Sequence, residues 1–177
     1  MGVAARSGYG GRQLRRVAPR ILMTSLTKAG VVLGLGLGGF LDGIVLHQIL
    51  GWHHLICRTE TCQVETVEAL QRQNTQDGFF HLAVWLFTAV GVMLLFRAAR
   101  DRTAGWRGST LFGAMLAGWG VFNLVEGLID HHLLGLHHVR PGHPQELWYD
   151  LAFLALGVLL VVAGAVLVRA GRRQVGA

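Results

Sequence analysis

Charge is scarce in this chain: Asp, Glu, Lys and Arg make up 15% of its 177 residues, against 52% hydrophobic residues and a mean hydropathy of +0.45. So little charge, absent from long stretches, excludes an ordinary soluble domain. The only cysteines are Cys57 and Cys62, so at most one disulfide can close within the chain. The four methionines, Met1, Met23, Met93 and Met115, all lie away from the polar cluster described below, which argues against a thioether site for reduced copper. No phosphate-binding loop, nucleophile elbow or nucleic-acid module is present.

What is present is apolar length. Four segments, Ala29 to Leu50, Phe79 to Phe96, Leu111 to Leu134 and Leu147 to Val168, are long enough to cross a hydrocarbon core of about 30 Å. The expected fold is all-α, a polytopic membrane protein with a four-transmembrane-helix bundle at 29–168, flanked by basic tails at 1–28 and 169–177. The net charge of +6 and pI of 10.6 would suit nucleic acid, but the basic residues are distributed as topology signals. Thirteen of sixteen precede the first span, lie between the second and third, or follow the fourth; only Arg58, Arg72 and Arg140 lie on the other side. The positive-inside rule then places both termini in the cytoplasm of a bacterial inner membrane and both His-rich connections outside, with the lipid bilayer as partner and no nucleic acid. Arg15-Arg16 could be half of a twin-arginine signal. The apolar run after it is too long for a signal core, carries Asp42 and lacks a small-residue cleavage site.

One phrase occurs twice. Residues 42–54, DGIVLHQILGWHH, lie over 126–138, EGLIDHHLLGLHH, at a constant offset of 84, matching acid with acid, two glycines and three of four histidines. Downstream, Asp77 and His81 fall on Glu146 and Asp150 at an offset of 69, so the first connection is expected to be 15 residues longer. The pattern predicts two parallel helix-hairpin repeats, 29–96 and 111–168. Gly30, Gly34 and Gly38 on the first span, and Gly113, Ala117, Gly120 and Gly127 on the third, predict that these two helices meet closely. The long connection carries Cys57 and Cys62, read as a disulfide or a metal pair, followed by a short surface helix.

The topology gathers Asp42, His47, His53, His54, His81, Glu126, Asp130, His131, His132, His137, His138 and Asp150 in the outer third of one small bundle. Ionisable groups at that depth are costly unless they pair, face water or bind a cation. Imidazole with carboxylate suits a transition metal ion such as zinc, copper or iron. The plainer readings are that Asp77 and Glu146 cap helix starts, that His53, His54, His137 and His138 are interfacial, and that Asp42, Glu126 and Asp130 are acids paired with histidine. His47, His81 and His131 fit those readings least, since each sits in or at the edge of a span near an acid that could orient its second nitrogen.

Together GGFLDGIVLHQILGWHH, DGFFH, GWGVFNLVEGLIDHHLLGLHHVRPG and LWYDLAFLALG resemble a family of prokaryotic four-span membrane proteins named for domain of unknown function 2243. The resemblance runs from about Val31 to Val168 and implies the architecture without a reaction. It also implies proximity to respiratory oxidase assembly factors. The function expected is metal handling at the outer face, possible as a homodimer. Alternatives are a membrane metalloenzyme, hydrolase or oxidoreductase, with Glu126, Asp42 or Asp130 as general base, a haem-binding four-helix protein using two of His47, His81 and His131, and a histidine-driven transporter or pH-responsive protein.

Overall fold

The computed structural model describes residues 24–56, 65–100 and 106–173. Cys57 and Cys62, and residues 1–23 of the basic tail, lie outside the described residues. Four helices dominate: α1 (Ser25–Asp42), α2 (Val67–Arg100), α3 (Gly108–Glu126) and α4 (Glu146–Arg173). Thr24 caps α1, its hydroxyl accepting the Thr27 amide at 3.2 Å. Neither α1 nor α3 stops where its α-helical hydrogen bonding ends. Each continues as a π-helical segment, Gly43–Ile49 after α1 and Gly127–Leu133 after α3. With these extensions the four helical runs are 25, 34, 26 and 27 residues long and apolar enough to cross a membrane. At 1.5 Å per residue that is roughly 38 to 51 Å, longer than the hydrocarbon core. This is a multi-pass membrane protein.

The π-helical segments end alike. Leu50 N–H donates to Val45 O at 2.8 Å and Leu134 N–H to Ile129 O at 2.7 Å, both five residues back. Gly51 and Gly135 then turn left-handed, with φ of 57° and 56°, so that Trp52 N–H reaches Leu46 O and Leu136 N–H reaches Asp130 O. An L side chain at either glycine would meet its own backbone, which is why glycine closes both helices. The chain thereby folds back and sends His53-His54 and His137-His138 across the end of the bundle.

α1 and α3 form the centre, with α2 packed on α1 and α4 on α3. Half of the most apolar window of α1 and 39% of that of α3 is buried, against 11% for α2 and α4, whose large side chains face outward. The central crossing has almost no side chain: a Cβ on Gly34 would overlap the Met115 carbonyl, and one on Gly118 the Val31 carbonyl. The glycine contact foreseen between first and third spans is therefore made by Gly30 and Gly34 with Ala114 and Gly118. Gly113 and Gly120 instead face Gly164 and Gly157 of α4, because they lie on the opposite side of α3.

Two expectations are corrected. The segment after the cysteines is not a separate surface helix: residues from Val67 onward are the first turns of α2, so Asp77 lies well inside a helix and caps nothing. The register of the second helices is also one turn away from the offset of 69. Asp77 takes the place of Asp150, Phe80 stacks on His47 as Phe153 packs on His131, and Gly91 matches Gly164, all at an offset of 73. A slip of four residues keeps the same helix face toward the core, so hydrophobic pattern cannot distinguish the two registers.

Candidate metal centre

Below the turns made by Gly51 and Gly135, six side chains converge. One oxygen or nitrogen from each of Asp42, His47, His53 and Glu126 lies within 4.8 Å of the others, and the same holds for Glu126, His131 and His137. All six residues are buried, between 1% and 6% exposed. Asp42 and Glu126 come from the last turns of α1 and α3, and His47 and His131 from the π-helical segments. His53 and His137 come from the chain just past the glycines. The wider π-helical turn advances each residue by less than 100°, so it re-aims His47 and His131 relative to an unbroken α-helix.

Three of the four imidazoles are hydrogen-bonded through one nitrogen. His53 Nδ1–H donates to Val139 O at 2.8 Å, and His137 Nδ1–H donates to Leu55 O at 3.1 Å. A carbonyl can only accept, so both rings carry their proton on Nδ1 and a lone pair on Nε2. His47 Nδ1 bonds Asp77 Oδ1 at 3.1 Å, and His131 Nδ1 stands 3.5 Å from Asp150 Oδ1, an ion-pair distance without hydrogen-bond geometry. Asp77 and Asp150 are themselves fixed. Each accepts a second histidine at 2.6 Å, His54 or His138, and a backbone N–H, from Leu55 at 2.9 Å or Val139 at 2.8 Å. A carboxylate or carbonyl behind each histidine is the arrangement that orients metal ligands.

What faces inward has no partner. Asp42 Oδ1 and Oδ2, Glu126 Oε2, and Nε2 of His47, His53, His131 and His137 are buried with no hydrogen bond. His47 Nε2 comes within 3.3 Å of Asp42 Oδ2 and His137 Nε2 within 3.9 Å of Glu126 Oε1, but neither contact has hydrogen-bond geometry. Leaving one such group unsatisfied costs about 1–3 kcal/mol, and more when it is charged. Seven together could hold a cation, and imidazole with carboxylate fits a transition metal. Burial, reinforced by neighbouring imidazoles, lowers the His53 pKa to about 3 and that of His137 to about 2. Both therefore remain neutral, as ligands must be.

The remaining expected residues lie outside these two groups. His54 and His138 are turned onto Asp77 and Asp150, half out to solvent, and Asp150 stands behind His131. His81 donates Nδ1–H to the carbonyl of its own Asp77 at 2.8 Å and abuts Gly43 and Phe80. In the corrected register its counterpart is Leu154, not Asp150. Asp130 is half-buried beside Glu126 in a crevice walled by Phe80 and Phe122, and His132 is exposed. Glu146 does stand at a helix start, accepting the Gly142 amide at 3.3 Å. The residue that sequence reasoning undervalued is Asp77. Its identity with Asp150 in role would have appeared only with the offset of 73.

The family described as "Predicted membrane protein (DUF2243)" matches residues 29–171, which take in most or all of each of the four helices and every residue of the centre. The chain belongs to this family. No curated protein and no solved structure matches it. In this DUF2243 protein the matched region covers the glycine turns at 51 and 135 and the buried histidines together.

Proposed function

We propose that this DUF2243 protein binds a transition metal ion at the outer face of the membrane and serves in metal handling there. The observation that carries the reading is the set of four imidazoles, three hydrogen-bonded through Nδ1 and the fourth, His131, with Nδ1 3.5 Å from Asp150, each presenting an unpartnered buried Nε2 beside two carboxylates. Nothing in a purely structural role requires that many lone pairs aimed inward. Zinc, iron and oxidised copper all suit the donors. Lys28, Arg97, Arg100, Arg107, Arg169 and Arg172 lie at the opposite end of the helices from the centre, which supports an outward-facing site and cytoplasmic termini. Matched contacts at offsets of 84 and 73 support descent from a duplicated hairpin. A role in respiratory oxidase assembly rests on the family resemblance alone.

The haem alternative is weaker, because the rings crowd one another. His53 and His137 stack at 4.4 Å with 10° between planes, and His47 and His131 lie 4.7 and 4.8 Å from their neighbours His53 and His137. A porphyrin cannot enter between rings that touch. The metalloenzyme alternative is favoured by one feature, a crevice of about 430 Å³ walled by apolar residues that ends on Asp42 and Asn123. The deciding experiment is metal analysis of the full chain purified in mild detergent, with an optical spectrum. We expect bound zinc, iron or copper, at a lower content in His47→Ala/His53→Ala. Protein that is metal-free and takes up none of these ions at micromolar concentration overturns the reading.

A further inference from the structure

We propose that the centre is built for two metal ions bridged by the Glu126 carboxylate, which rests on the metal-binding reading above. The six donors do not form one set. They form two, Asp42, His47, His53 and Glu126 on one side and Glu126, His131 and His137 on the other, and Glu126 is the only member of both. A single ion with bonds of about 2.0–2.2 Å holds even opposite donors only about 4.4 Å apart. Across the sets His47 and His137 are 6.5 Å apart between centroids and His53 and His131 6.1 Å, while His53 and His137 stack at 4.4 Å where the two sets meet. Within each set the two rings are 4.7 and 4.8 Å apart. Two positions with two imidazoles each account for this spacing, and paired ions about 3.5–4 Å apart are a known arrangement.

Glu126 has the freedom a bridge needs. Its Oε1 faces His137 Nε2 at 3.9 Å, while Oε2 is buried with no hydrogen bond, so each oxygen is available to a different ion. The halves are also tied together. His53 is held by the carbonyl of Val139 and His137 by that of Leu55, so each hairpin orients a ligand contributed by the other.

The test is a metal count on the full chain in detergent, followed by manganese(II) loading and electron paramagnetic resonance. We expect two ions per chain and a spin-coupled manganese pair. His131→Ala/His137→Ala should retain one ion, and Glu126→Gln should abolish coupling. One ion per chain, or two ions without coupling, overturns the bridged pair and leaves the metal-binding reading standing. No bound metal overturns both. The count on the unaltered chain needs no variant to fold, so poor folding of a double variant does not protect the proposal.

Discussion

Replacing Asp77 by Asn changes one oxygen to NH2 at a residue that touches no metal donor site directly. Asp77 accepts three hydrogen bonds, from His47 Nδ1 at 3.1 Å, His54 Nδ1 at 2.6 Å and Leu55 N–H at 2.9 Å. His47 and the Leu55 N–H share Oδ1, so the amide oxygen of Asn stays there and its NH2 faces His54. His47 then keeps an acceptor but loses the carboxylate charge that raises the basicity of its Nε2. Loss of such a partner lowers metal affinity about 10- to 100-fold, or roughly 1.4–2.7 kcal/mol. The assay is competition against a chromophoric zinc chelator, using purified protein whose helicity is checked by circular dichroism. His54→Ala is the control, because it removes the shortest of the three bonds without touching His47; its affinity should change by less than about threefold. A folded Asp77→Asn protein that binds zinc within twofold of the unaltered chain refutes the argument that the Asp77 carboxylate raises the basicity of His47.

Three further outcomes follow from other parts of the structure. Gly118→Ala puts a methyl into the Val31 carbonyl at the α1–α3 crossing and should destabilise by about 1–3 kcal/mol, read as a lower melting temperature in detergent. Gly51→Ala meets no neighbouring atom and tests the left-handed backbone alone, with an expected cost of about 1–2 kcal/mol. Metal-free protein should lose the stability contributed by His53 and His137 on acidification, because they resist protonation down to about 3 and about 2 while the unfolded chain takes up protons near 6.5. Below pH 6.5 the loss should approach about 1.4 kcal/mol per pH unit for each of the two histidines. Denaturant titrations from pH 8 to 5 that coincide would show that these rings are not buried neutral.

The outward-facing histidines and the buried ones were not separable by composition. His53 and His54 are adjacent, as are His137 and His138, yet the first of each pair belongs to the centre and the second braces a carboxylate. Adjacent residues in an extended stretch point in opposite directions, so the assignment depends on how the glycine turn aims the chain. Asp77 reads as a helix cap in the sequence because nothing in VETVEALQRQNTQ marks that a helix there runs unbroken into the span. The π-helical turns were also hidden: GIVLHQI and GLIDHHL carry no residue that an α-helix would reject, and their extra width appears only in the hydrogen bonds to Val45 and Ile129.

By itself the sequence determined four membrane-length helices, the glycine-lined first and third spans and the doubled acid–histidine phrase. These follow from local quantities, apolar length, small-residue spacing and a fixed offset of 84. Tertiary structure alone decided that His81 and His132 stand apart, that Asp77 matches Asp150, and that Leu55 and Val139 carbonyls hold the opposite hairpin's histidines. A donor's direction is set by neighbours distant in the chain, here 82 to 86 residues away, and no local pattern encodes it.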